Sequence, residues 1–132
     1  MHYLCVVAPR FGVGARTAHA KRNNGEGFCF LADIPLAILK IRIKNPNLKI
    51  LIIDLDAHQG NGLADILGSD PLTVIFDMYS DYNYPRDIKM REYIDFNYPL
   101  KDFINTSEYL NILKNALPKK MVKKFLKSIL LI

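Results

Sequence analysis

The sequence has no tryptophan, only two cysteines and no long apolar run. Cys5 and Cys29 do not form a disulfide framework pattern, and no CxxC pair suggests a zinc knuckle. The apolar run that starts at Ile50 stops at Asp54, far short of the roughly 20 residues that a transmembrane helix needs. The first residues lack the basic segment of a signal peptide. These absences predict a cytoplasmic protein with reduced thiols and no membrane contact.

Charge is only mildly unbalanced, with 18 Lys and Arg against 13 Asp and Glu and a net charge of +5. No alternation of basic and aromatic residues is present, so we expect no direct nucleic-acid binding. Lysines are dense only after Pro118. We interpret that segment as an ordinary amphipathic helix, with a membrane-surface or calmodulin-type helix as the alternative. Half of the residues are hydrophobic, which suits one domain over residues 1–132.

Hydrophobic patterning predicts alternating strands and helices. The expected elements are a strand at Tyr3–Val7, a loop over 8–27, a helix at Asp33–Lys44 capped by Asp33, a strand in "KILIIDLD" (residues 49–56), a short helix in "LADIL", a strand over 72–79, an extended segment "EYIDFNYPL" and a helix capped by Thr106. Continuous apolar strands are typical of a parallel sheet covered on both faces. We therefore predict a parallel α/β fold in which residues 51–54 and 74–77 are neighbouring strands.

The clearest chemical signal is "LIIDLDAHQGNG", residues 51–62. Carboxylates beside buried aliphatic residues are costly unless something pairs with them. Parallel sheets bind ligands at the carboxyl ends of their strands, and strand alternation places Asp54, Asp56 and His58 on one face. Two carboxylates and an imidazole suit zinc or another divalent ion. The alternative is that both aspartates cap the next helix and that His58 is a surface residue.

"DLDAHQGNG" closely resembles the signature of histone deacetylases, and its Ala, Gln and Asn choices look most like the class IV branch and its bacterial relatives. "HAKRNNGEGFCFLADIPLAI" and "TVIFDMYSDYNYP" are similar to the family segments on either side. The resemblance covers about residues 12–118. It implies a three-layer parallel α/β sheet of the arginase/deacetylase type, here incomplete, and an enzyme that hydrolyses acetylated lysine.

The resemblance also implies a metal site and a cation site. Asp56 and His58 are expected to be two zinc ligands. Asp54 is expected to orient a catalytic histidine and, with the region of Asp77, to hold a monovalent cation such as K⁺. Arginase relatives bind two metals through an Asp-Ala-His-x-Asp pattern, whose last position is Gly60 here, so we expect a single metal.

The substrate and acid–base residues follow from the same resemblance. Gly27 and Phe28 are expected to line the acetyl-lysine channel. The family has two adjacent histidines; aligned on "GFC", Ala18 falls on the first and His19 on the second, so His19 is the expected general acid/base. The alternative is a loop in which His19 has no role.

Two family motifs are missing from the sequence. Neither the downstream aspartate that supplies the third zinc ligand nor the tyrosine that stabilises the oxyanion is present. We therefore expect a central fragment with a weak zinc site and no appreciable activity as an isolated chain, which a complementing chain could complete. The alternative is a non-catalytic remnant or interaction module that keeps part of the sheet.

Overall fold

Four parallel strands form the sheet in the computed structural model, which describes residues 3–7 and 18–117. In chain order the elements are β1 (Tyr3–Val7), α1 (Asp33–Lys44), β2 (Lys49–Asp54), α2 (Asn61–Leu67), β3 (Thr73–Ser80), a 3₁₀ turn (Lys89–Tyr93), β4 (Phe96–Leu100) and α3 (Thr106–Ala116). The strand order is β1-β2-β3-β4, and β2 pairs with β3 in parallel, with Asp54 opposite Asp77. The predicted parallel pairing is confirmed.

Helices cover both faces of this sheet because the buried side chains of β2 alternate in direction. Ile50 and Ile52 pack into one apolar cluster with residues of α1 and α2. Leu51 and Ile53 pack into a second cluster with residues of α3. The described residues therefore form three layers, which agrees with the predicted α/β fold.

In α1 and α3 the N-cap is the residue before the predicted one. The N-cap of α1 is Ala32, and the Asp33 carboxylate instead accepts a hydrogen bond from the next backbone N–H at 2.8 Å. The N-cap of α3 is Asn105, whose side chain accepts from the N–H of Glu108 at 2.9 Å. Asn105 makes the capping bond expected of Thr106, because an amide oxygen on a short side chain reaches the N–H groups of the first helical turn.

A polar cluster ties the end of α1 to the start of β3. Arg42 forms an ion pair with Asp70 and donates to the Thr73 hydroxyl at 2.9 Å, and that hydroxyl donates to Asp70 at 2.6 Å. Burial acts to raise the pKa of Asp70, but the hydrogen bonds from Thr73 and Arg42 outweigh it and hold the pKa below its usual value.

The other predicted elements compare with the structure as follows. Helix α2 starts before the predicted "LADIL", and residues 89–93 form a 3₁₀ turn where part of an extended segment was predicted; the strand itself covers Phe96–Leu100. Residues 18–27 contain no helix or strand, as expected for the long loop. The first part of that loop and the predicted lysine-rich helix after Pro118 lie outside the described residues. No helix in the described ranges has the length and apolarity to cross a membrane, and the cytoplasmic location stays a prediction.

Candidate active site

Asp54, the last residue of β2, lies directly beside Asp77 of β3, close to the carboxyl edge of the sheet where parallel sheets bind ligands. Both side chains are buried. Asp54 Oδ1 accepts a hydrogen bond from the N–H of Asp56 at 3.0 Å, and Asp77 Oδ2 accepts from the N–H of Gly60 at 2.8 Å. The loop after β2 therefore folds over the two carboxylates and covers them.

In each of these two carboxylates, only one oxygen accepts a hydrogen bond. Asp54 Oδ2 and Asp77 Oδ1 are buried without a hydrogen-bond partner. Burial raises the pKa of Asp54 to about 6, partly offset by the bond from Asp56, and burial together with the Asp54 charge raises the pKa of Asp77. Hard cations are coordinated by oxygen atoms, and this buried acidic pair offers two oxygens that have no hydrogen-bond partner. The pair therefore fits the expected cation site.

Asp56 and His58 lie in the turn that follows β2. Asp56 Oδ1 accepts the N–H of His58 at 2.8 Å and lies 2.8 Å from the His58 ring nitrogen Nδ1. The two side chains meet through this local turn, in which an aspartate bonds to the backbone two residues on, and not through strand alternation. The strand ends at Asp54, so the predicted reason for their proximity was wrong although they do approach.

The alternative in which these aspartates cap the next helix is not observed. The N-cap of α2 is Gly60, and no side chain caps it. Among the described residues, no group of three or more His, Cys, Asp or Glu side chains is arranged to hold a metal ion.

His19 is buried and contacts the start of α2 and the turn that follows β2. Its Nδ1 lies 2.9 Å from Oδ1 of Asn61, and its ring centroid is 5.9 Å from that of His58. The carbonyl of Ala18 accepts the N–H groups of Gly62 and Leu63, at the start of α2, at 2.8 and 3.2 Å. The backbone of residue 18 thus anchors His19 beside the Asp56–His58 turn, although the Ala18 side chain has no acid–base group.

A tight turn positions the two residues expected to line the substrate channel. Glu26 and Cys29 exchange backbone hydrogen bonds of 3.1 and 2.9 Å, and the two residues between them, Gly27 and Phe28, have φ angles of +59° and +64°. Positive φ at both central residues is the mark of a type I′ hairpin turn. Phe28 consequently projects outward and is 84% exposed, while Gly27 lies against the His19 ring.

These residues border one cavity of about 440 Å³, lined by His19, Gly27, Phe28, His58 and Tyr84. The structure therefore brings together the predicted acid–base residue, one predicted metal ligand and both predicted channel residues. Tyr84, which follows β3, was not predicted. Its ring centroid is 5.5 Å from that of His19, so it forms a second aromatic wall beside Phe28.

A hydrogen-bond network behind this cavity was also missed. Glu26 Oε1 accepts from the Tyr84 hydroxyl at 2.8 Å and from Nδ2 of Asn61 at 3.2 Å. Glu26 Oε2 pairs with Nζ of Lys21 at 3.0 Å, and Lys21 also pairs with Asp87 at 3.0 Å. Asn61 lies within the motif at residues 51–62, so the sequence could have pointed to it. No local sequence pattern pointed to Glu26 or Tyr84.

The loop after β3 is fastened to the motif by Gln59. This side chain is fully buried; its Nε2 donates to the carbonyl of Asp87 at 2.9 Å, and its Oε1 accepts the N–H of Asp87 at 2.9 Å. This reciprocal pair places the segment that carries Tyr84 over the carboxyl edge of the sheet. The cavity wall is therefore held by a residue of the same motif that supplies Asp56 and His58.

Comparison with known proteins identifies the family of this arrangement. Residues 15–132 match the family model described as "Histone deacetylase domain". The chain is 41% identical over 109 residues to "Histone deacetylase 2" of Arabidopsis thaliana, a match that covers 80% of this chain and 27% of that protein. It is 34% identical over 112 residues to "Histone deacetylase 1" of Homo sapiens, covering 78% of this chain and 23% of that protein.

A further relative is an uncharacterized protein of Picosynechococcus, 38% identical over 101 residues, which cover 76% of this chain and 33% of that protein. The chain thus spans a third or less of the length of these relatives. No solved structure gives a significant match.

Proposed function

Because the chain belongs to the histone deacetylase family, we propose that it carries the acid–base residue and part of the metal site of an enzyme that hydrolyses acetyl-lysine amides. The observation that supports this most directly is the cavity in which the His19 and His58 rings lie 5.9 Å apart between centroids. A base next to metal-ligand side chains is what amide hydrolysis requires.

Asp56 and His58 would hold zinc, since a carboxylate oxygen and an imidazole nitrogen 2.8 Å apart provide two suitable donors. When bound, zinc supplies a Lewis acid that polarises the amide carbonyl and lowers the pKa of water. Catalytic zinc sites normally have three protein ligands, and among the described residues no group of three or more His, Cys, Asp or Glu side chains is arranged to hold a metal ion. We expect this chain alone to bind zinc weakly.

His19 would accept a proton from the attacking water and return it to the lysine amine as that amine leaves. Its hydrogen bond to Asn61 occupies Nδ1, so Nε2 is the nitrogen that remains for this exchange. Phe28 and Tyr84, which both line the cavity, would contact the aliphatic part of the acetyl-lysine side chain. Gly27 has no side chain, and this allows the turn to pack directly against the His19 ring.

Asp54 and Asp77 would hold a monovalent cation such as K⁺. Their two unpaired buried oxygens support this assignment, since a cation would supply the missing partner. We expect equal ionic strengths of KCl and choline chloride to give different melting temperatures, with the higher value in KCl. Asp77→Asn should abolish the difference, and an unchanged difference in this variant would count against the site.

Zinc binding is tested by calorimetric titration of the 132-residue chain. Asp56→Ala and His58→Ala should each remove the binding, because each deletes one of two donors. Asp33→Ala is the matched control, since this exposed aspartate lies at the start of α1 and outside the cavity. Undiminished binding in both site variants would reject these ligands.

Activity is tested by acetate release from an acetyl-lysine peptide, with a hydroxamate inhibitor as control. We expect no appreciable turnover by the chain alone with zinc supplied, since the sequence contains no third-ligand or oxyanion-tyrosine motif. Addition of a segment that carries both motifs should be required for turnover. If zinc still fails to bind and turnover stays absent in that completed protein, the chain is a non-catalytic interaction module.

A further inference from the structure

We infer that Glu26 is a positioning residue for His19: its carboxylate fixes the orientation of the Asn61 amide, and that amide holds the imidazole proton on Nδ1. The inference rests on the proposed function for its catalytic meaning, because it explains how His19 is kept ready as a base. Glu26 acts on His19 through the side chain of Asn61.

The first step is the orientation of Asn61. The oxygen and nitrogen ends of a side-chain amide have nearly the same shape, so hydrogen-bond partners decide which end points where. Glu26 as a carboxylate can only accept, and its Oε1 lies 3.2 Å from the Asn61 nitrogen. Asn61 is fully buried, which makes a flipped amide with unpaired groups costly. Asn61 must therefore present its NH₂ to Glu26 and its carbonyl to His19.

The second step is the tautomer of His19. An amide carbonyl only accepts, so the contact of 2.9 Å between Asn61 Oδ1 and His19 Nδ1 requires the proton on Nδ1. The Nε2 lone pair is then free to take a proton. If the amide were reversed, its NH₂ would face Nδ1 and the neutral ring would carry its proton on Nε2, which is the wrong form for a base.

The third step is that Glu26 remains ionised and in place. Burial acts to raise the pKa of Glu26, but hydrogen bonds from Lys21, Tyr84 and Asn61 together lower it below its usual value. The backbone of Glu26 is fixed by its paired hydrogen bonds with Cys29.

The experiment reads the imidazole proton directly. Two-bond ¹⁵N–¹H correlation spectra of the full chain with labelled histidine, at a pH where the ring is neutral, report the tautomer of His19. The parent chain should show the Nδ1–H form. In Glu26→Gln, whose side chain can donate as well as accept, the ratio should shift toward Nε2–H by about fivefold, the effect of losing about one hydrogen bond.

A matched control and a rescue complete the test. Glu108→Gln makes the same chemical change on the exposed surface of α3 and should leave His19 unchanged. In Glu26→Gln/Asn61→Asp the carboxylate and amide are exchanged, and the Nδ1–H form should return because an aspartate at 61 only accepts. An unchanged tautomer in folded Glu26→Gln, or no return in the double variant, overturns the inference.

A measurement on the parent chain covers the case in which Glu26→Gln does not fold. The Asn61 amide protons should show nuclear Overhauser contacts to the Glu26 side chain. Contacts to the His19 ring in their place would show the reversed amide and overturn the inference. Since neither readout involves turnover, a failed deacetylase assay would bear on the proposed function and leave this result intact.

Discussion

Gly27→Ala should destabilise the protein strongly, because a methyl group at this position has no space and an unfavourable backbone. A Cβ on Gly27 would lie 2.6, 2.7 and 2.8 Å from Cδ2, Cγ and Cβ of His19, and the residue has φ of +59°. His19 is buried, and its ring is tied to Asn61 at 2.9 Å. The ring therefore has little freedom to move away.

Two costs set the size of the effect. An L-residue in the left-handed region costs roughly 1–2 kcal/mol, and an extra methyl group in a packed site costs about 1–3 kcal/mol. Together they predict about 2–5 kcal/mol, a large part of the roughly 5–15 kcal/mol by which domains are stable. If His19 moves instead, the bond to Asn61 is lost and the Nδ1–H tautomer with it.

The assay is urea unfolding followed by circular dichroism, since the chain has no tryptophan. A double-mutant cycle with His19→Gly separates the two costs, because removing the imidazole removes the clash but not the strain. Gly27→Ala should cost about 1–2 kcal/mol in the His19→Gly background. Equal costs in both backgrounds, or a Gly27→Ala chain as stable as the parent, would refute the proposed close contact.

Three further predictions test the scaffold. Asp70→Asn should destabilise the chain near neutral pH: the bonded carboxylate has a lowered pKa, so its contribution is present above the ordinary aspartate value and is lost as pH falls below about 4, where unfolding curves of the two proteins should converge. Asn105→Ala should cost about 0.5–2 kcal/mol by removing the cap of α3, whereas Asn105→Ser should cost much less in the same urea titration. Ile52→Ala should cost about 2–5 kcal/mol, because this fully buried side chain in the middle of β2 leaves a cavity between the sheet and its helices, and a loss below 1 kcal/mol would contradict that packing.

The strands were predictable where burial on both faces makes the sequence continuously apolar, as in β2 and most of β3. The start of α2 was not. Gly62 stands in its first turn and reads as a break in the sequence, but a Cβ there would lie 2.5 Å from the carbonyl of Ala20. This glycine allows a distant loop to approach the helix, and no local pattern encodes such an approach.

The candidate site also has a part that the sequence predicts and a part that it does not. Asp54, Asp56 and His58 are close in sequence, so one motif predicts all three. Glu26 reaches Asn61 across 35 positions and Tyr84 across 58. Contacts of that length depend on how the sheet brings its loops to one edge, which becomes visible only once the strand order is known.

The strand order has a consequence for how the site is assembled during synthesis. Each strand lies beside the strand that precedes it in the chain, so every new strand leaving the ribosome meets a partner that is already present. The cavity cannot be complete when β2 has paired, because one of its lining residues, Tyr84, comes from the segment after β3. A nascent chain that ends before β3 would therefore carry Asp54 without Asp77 and His19 without the Tyr84 ring. The Asp56–His58 turn would then form before the cavity beside it.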